Sequence, residues 1–159
     1  MFSHNAPYWH FRDRSALLAA VAEQDFVLLR RTFEQHGESR KARVALRNAA
    51  KFLIEYAIEH RARYRLLFSD PELSPEQGLK DAAMASFQAF SIIVSRCQQE
   101  GVLPAMDTVR LTGLIYAALH GAIDLELGGR SSGSKGLGSV KGTAELLFQL
   151  LGRVKHLGL

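Results

Sequence analysis

The sequence predicts an all-α fold, a bundle of about six or seven helices. Three observations carry that reading. Apolar residues recur at i, i+3 and i+4 along most of the chain, and no useful length alternates with period two. The apolar stretches are separated by helix punctuation: Gly37, Pro71, Pro75, Gly101, Pro104 and the Gly/Ser-rich run from Gly128 to Gly136. Capping residues stand where the periodic runs begin, notably Asp13, Ser74 and Asp107.

Each element follows from its own residues. Asp13 caps a first helix with apolar positions Leu17, Leu18, Val21, Phe26, Leu28, Leu29 and Phe33, stopped by Gly37. Asp25 falls inside that run, as a polar group of a pocket or at the stripe's edge. A second helix is predicted from near Ser39, with Ala42, Ala45, Leu46, Ala49, Phe52, Leu53, Tyr56 and Ala57 in one stripe, fading near His60. A short third piece, RARYRLLF, follows. In the break SDPELSPEQ, Ser74 reads as a helix cap, Pro75 as the first helical residue and Gln77 as the capping-box partner. The helix it opens carries Leu79, Ala83, Ser86, Phe87, Phe90, Ile93, Val94 and Cys97, and ends at Gly101. Asp107 caps the next helix, whose first half is apolar nearly all round and is expected to be buried on more than one side. After the flexible Gly/Ser linker, a last helix from about Leu137 carries Val140, Ala144, Leu147, Leu150, Leu151, Val154 and Leu157.

Composition narrows the function. The 159 residues suffice for one domain with a real core, and 47% apolar with 23% charged residues is ordinary for a soluble globular chain. No apolar run is long enough to cross a bilayer, and the first residues lack the basic-then-apolar order of a signal peptide. The single cysteine, Cys97, excludes an internal disulfide, reads as a small core residue and points to a reducing compartment. No Cys/His cluster has zinc spacing. The net charge of +4 includes a denser zone at Arg40, Lys41, Arg43, Arg47 and Lys51, of which Lys41, Arg47 and Lys51 fall near one side of a helix. That zone is a solvated face or a nucleic-acid patch.

Residues 3–23, SHNAPYWHFRDRSALLAAVAE, resemble the end of the DNA-binding headpiece of TetR-type transcriptional regulators. The match lies in Ser3, Tyr8, His10, Phe11, Asp13 and Arg14: a Tyr-x-x-Phe knot closing a recognition helix, then a cap and a basic residue opening a long connecting helix. EYAIEHRARYRLLF resembles the family's short-helix region, and AALHGAIDLELGGR its Trp/Leu-His-Gly segment in one regulatory-domain subgroup. The resemblance covers essentially the whole chain.

The resemblance implies two parts. Residues 1–12 are the remnant of a helix-turn-helix headpiece, and residues 13–159 are an effector-binding and dimerisation domain. The bracing helices of a headpiece need roughly thirty to forty residues, so operator binding is expected to be impaired in this chain. A fragment, proteolysis or a start assigned too late would each account for this. Tyr8, Trp9 and Phe11 would otherwise pack against those helices. His4 and Asn5 fall where the family reads bases, and Tyr8 and Arg14 where it touches phosphates. Tyr56, Tyr64, Phe68, Phe87, Phe90 and Tyr116 come from four segments that should converge. In the family this region encloses a pocket for a hydrophobic or aromatic small molecule, and the alternative is an aromatic core.

His120 and Asp124, four apart on one helix, are expected as a pair lining that pocket, as half of a metal site, or as a core or subunit-seam histidine. Gly121 beside them would let another helix approach closely. No metal or cofactor is expected. Leu114, Ala118, Ala122 and Leu125, with Leu147, Leu151 and Val154, form more apolar surface than a monomer hides. They predict a homodimer seam of four helices about a two-fold axis. The expected function is a cytoplasmic, ligand-responsive transcriptional repressor whose homodimer would bind operator DNA only with the bracing helices in place, with no membrane partner. A helical adaptor without DNA binding is the alternative. An enzyme using His120 and Asp124 as acid and base lacks a nucleophile motif, phosphate loop or metal set, and no catalysis is expected.

Overall fold

A computed structural model describes residues 13–69, 76–131 and 138–153. Among them are six α-helices and no strand: α1 (Arg14–Gly37), α2 (Ala42–Glu59), α3 (Arg61–Ser69), α4 (Gln77–Gln99), α5 (Thr108–Leu127) and α6 (Val140–Arg153). The all-α class and the helix order agree with the expectation. The expected headpiece remnant, residues 1–12, lies outside the described residues, as do Ser74, Pro75, Val154 and Leu157.

Helix starts show which local rules win. The Asp13 carboxylate accepts the Ala16 N–H at 2.8 Å, and the Asp107 carboxylate accepts the Arg110 N–H at 2.8 Å. The second helix begins at Ala42 rather than near Ser39, and Lys41 at its cap position offers no side-chain acceptor. Its orphan donor is met from α4, where Glu100 Oε2 accepts the Ala42 N–H at 2.9 Å. The fourth helix starts at Gln77 behind an extended Glu76, so the expected helical start at Pro75 is two residues early. The last helix starts at Val140, not Leu137. Gly138 takes a left-handed φ of 65° and Ser139 accepts the Gly142 N–H. Leu137 lies outside the described residues.

One core joins all six helices. Five of the eighteen residues of α2 are alanine, and four of these (Ala42, Ala45, Ala49 and Ala57) are wholly buried. Small side chains let neighbours approach closely, and α2 touches each of the other five helices. The most extensive pairing is α1 with α4. They run in the same direction, with Gly78, Phe90 and Arg96 meeting Glu23, Phe33 and Gly37. The α4–α5 turn is tied by Gln98, whose amide donates to the Pro104 and Met106 carbonyls and accepts from the Thr108 hydroxyl. The Ser91–Thr112 and Phe90–Tyr116 contacts make α4 and α5 antiparallel.

Two stripes differ from expectation. In α1 the buried line is Ala19, Ala22, Asp25, Phe26, Leu29 and Phe33, while Leu28 is exposed. Asp25 therefore lies within the stripe and not at its edge. Helix α5 was expected to be buried on more than one side. Within one chain it buries Leu111, Thr112, Ile115, Leu119, Ala122, Ile123 and Leu127 on one side and leaves Val109, Gly113, Leu114 and Ala117 exposed.

Candidate functional site

Helical spacing builds the site. On α3, Tyr64 and Phe68 are one turn apart, as are Tyr116 and His120 on α5 and, nearly, Phe87 and Phe90 on α4. Each pair faces the same interior. His120 sits between three rings, with centroids 4.3 Å from Phe68, 4.6 Å from Tyr116 and 5.6 Å from Tyr64. Tyr116 continues the chain to Phe87 at 5.5 Å and Phe90 at 5.4 Å. Tyr64 and Phe90 are fully buried, whereas Phe68, Phe87, Tyr116 and His120 are half-buried and form the outer layer. The rings meet at contact distance. A guest can enter only by displacing the outer layer.

The polar atoms give the cluster its character. The Tyr64 hydroxyl and His120 Nδ1 share a short hydrogen bond. The hydroxyl proton needs an acceptor, and a neutral imidazole supplies one at Nδ1, which places the ring proton on Nε2. Burial holds the imidazole neutral, lowering its pKa to about 4, with the Asp124 charge opposing that shift. His120 Nε2 is buried and has no hydrogen-bond partner among the described residues. The site thus offers one buried, unused N–H donor among aromatic faces. Burial also raises the pKa values of Tyr64 and Tyr116. Asp124 is exposed and makes no hydrogen bond to His120, acting on it only through its charge. Of the alternatives the sequence left open for His120, the geometry is that of a core histidine partnered by a tyrosine: Tyr64 of α3 occupies Nδ1.

Tyr56 belongs to a neighbouring group. Its ring meets Phe52 and His60 rather than the His120 cluster. Its hydroxyl is buried and unpartnered in hydrogen-bond geometry, and burial, then the nearby Asp25, raises its pKa. Asp25 is 1% exposed and bound by Arg63 of α3. Arg63 carried no signal in the sequence, since nothing local links residues 38 positions apart.

Of the residues expected at DNA, His4, Asn5 and Tyr8 lie outside the described residues, and Arg14 is exposed at the first position of α1. Of those expected at a seam, Leu114 and Leu125 are exposed and Ala118 and Leu147 half-buried. Ala122 is buried inside its own chain, and Leu151 packs against its own core. The outward line of α6 is instead Leu146 and Leu150, both more than half exposed. Gly113 and Gly121 face open space, so Gly121 is not in close contact with a helix of its own chain. Among the described residues, no group of three or more metal-ligating side chains comes together, and no helix is long and apolar enough to cross a membrane.

Residues 46–150 match the family described as tetracyclin repressor-like, C-terminal domain. A solved structure of a protein with unknown function from Rhodococcus sp. RHA1 is similar over 95% of this chain and 77% of its own, at 29% identity and a TM-score of 0.77. No curated protein matches the sequence.

Proposed function

The chain belongs to the tetracyclin repressor-like C-terminal domain family, and from that premise we propose that it is the effector-binding and dimerisation part of a ligand-responsive, cytoplasmic transcriptional repressor. The observation that carries this reading is the unpartnered His120 Nε2 donor, buried between Phe68, Tyr116 and Tyr64. An aromatic or hydrophobic effector with one acceptor atom satisfies that donor and stacks on the same rings. The LHG tripeptide at Leu119–Gly121 is the mark of the subgroup to which we assign it.

The mechanism is a population shift. An effector moves the equilibrium only by its differential affinity for two states. Entry displaces rings on α3 and α5. Next to Tyr64, Arg63 holds Asp25 of α1, so a shift of α3 is transmitted to the helix that leads toward the DNA-binding end. The exposed faces of α5 and α6 seat a second copy, which spaces two headpieces for two half-sites. His4, Asn5, Tyr8 and Arg14 serve DNA contact in that assembly, and the protein performs no catalysis.

A thermal-shift series of hydrophobic and aromatic compounds tests the effector site. Hits should raise the melting temperature by mass action, and the rise should vanish in His120→Leu while the unliganded variant stays folded. Hits unaffected by His120→Leu would refute the site.

A further inference from the structure

A second site lies away from the aromatic cluster. Between α2, α6 and the α4–α5 turn runs a groove of about 500 Å³, the size of a small-molecule site. Its floor is aliphatic and aromatic: Leu46, Ala50, Ile54, Leu103 and Phe148. Its rim carries Arg43, Arg47, Lys51, Lys141 and Arg153 against one acidic side chain, Glu145. The arrangement follows from local packing. Helices α2 and α6 are antiparallel, with Lys141 beside Glu55 at one end. At the other end Gly152 comes so near the turn that a Cβ would lie 3.3 Å from the Val102 carbonyl oxygen.

The cations are not equivalent. Lys51 and Lys141 both reach Glu55, at 3.8 and 3.3 Å, so their charge is answered from within the chain. Arg43, Arg47 and Arg153 are exposed and have no ion-pair partner among the described residues. They stand at the Gly152 end. The groove therefore has an apolar length and one end with three guanidinium groups that no described residue pairs. Guanidinium groups bind carboxylates through paired N–H donors, and positive charge at the end of an apolar floor favours an anionic head over a neutral one and repels a cationic one.

We propose that this groove binds an aliphatic carboxylate, its tail along Leu46, Ala50, Ile54 and Phe148 and its head among Arg43, Arg47 and Arg153. The site accounts for part of the basic zone of α2, which the effector reading leaves without a role. It shares no residue with the His120 cluster and does not depend on the effector reading.

Titration calorimetry on the full chain tests it with three probes of equal tail: decanoate, decanol and decyltrimethylammonium. Decanoate should bind at least tenfold more tightly than either other probe. The double variant Arg43→Gln with Arg47→Gln should weaken decanoate at least tenfold at an unchanged melting temperature, and Phe148→Ser should weaken it as well. His120→Leu should leave decanoate binding as it is. Equal affinity for decanol, unaltered binding in the arginine variant, or loss in His120→Leu each overturns the proposal. So does an arginine variant that changes the sedimenting mass without changing decanoate affinity, since the groove would then seat a second copy.

Discussion

Arg63 closes over Asp25 from the solvent side. Its Nε donates to Asp25 Oδ2 at 2.8 Å and its Nη2 to Oδ1, while the carboxylate is 1% exposed and the guanidinium side chain 47% exposed. The two partners thus stand in different solvents. Asp25 has given up its water and relies on Arg63. Arg63 retains much of its own.

The pair should be asymmetric to mutation. Arg63→Ala strands a buried carboxylate and should cost about 2–3 kcal/mol, toward the low end for buried pairs because one partner is half in water. Asp25→Asn frees Arg63 to turn into solvent and should cost less. The double variant should be more stable than Arg63→Ala alone. Urea unfolding of the three variants measures this, and additivity of the two single losses would contradict the pairing.

His120 predicts the sign of an acid effect. Its pKa falls from 6.5 unfolded to about 4 folded, because burial disfavours the imidazolium. Between those values the unfolded chain holds a proton that the folded chain lacks, so stability falls as pH is lowered through that window. The contribution is complete above pH 6.5, is lost by about pH 4, and amounts to at most about 3 kcal/mol. In His120→Leu the slope of unfolding free energy against pH should be shallower between pH 4 and 6.5 by up to one proton. Matching slopes in parent and variant would place the imidazole in water.

Much of this was legible from periodicity. Asp13, Asp107 and Gly101 act through neighbours in sequence, and the helices they bound came out near the expected positions. The i, i+4 pairs Tyr64–Phe68 and Tyr116–His120 likewise follow from local spacing, which puts each pair on one face of its helix. What the sequence hid were long-range partners. Asp124 was the nearest carboxylate to His120 along the chain, yet Tyr64, 56 residues away, takes Nδ1. Tyr56 carried the same aromatic signal as Tyr64 but turns toward Asp25, because its register on α2 faces α1. On α6, Leu146, Leu147, Leu150 and Leu151 form two adjacent lines, and only packing decides which one the chain keeps.

Glu100 illustrates the same point and supplies a further prediction. One carboxylate oxygen caps Ala42 at 2.9 Å and the other lies 3.6 Å from Arg96. Arg96 in turn donates to the Gly37 and Ser39 carbonyls. The end of α4 thereby supplies both the cap of α2 and the clasp on the α1–α2 turn. Glu100→Ala should cost about 1 kcal/mol, the usual worth of a helix cap. Amide exchange should accelerate most at Ala42, the donor that Glu100 caps at the start of α2. Uniform acceleration over the whole bundle would instead indicate global loosening.

The unpaired faces of α5 and α6 give the most direct test of assembly. Leu114 and Leu150 are each 52% exposed, and Gly113 and Gly121 face open space on the same helix as Leu114. Burying a leucine fully is worth about 1.5–3 kcal/mol, so a seam that covers two half-exposed leucines per chain on both copies gains about twice that amount. Leu150→Glu places a charge in the proposed seam and nothing in the chain's own core. It should lower the sedimenting mass to that of one chain while leaving helical content intact. Leu151→Ala acts on the other line of α6, which packs inward, and should lower unfolding stability by about 1–3 kcal/mol, reduced from the full core value by its partial exposure. If Leu150→Glu leaves the mass unchanged and Leu151→Ala lowers it, the interface lies on the line of α6 that also touches the chain's own core, and the outward leucines serve a different contact.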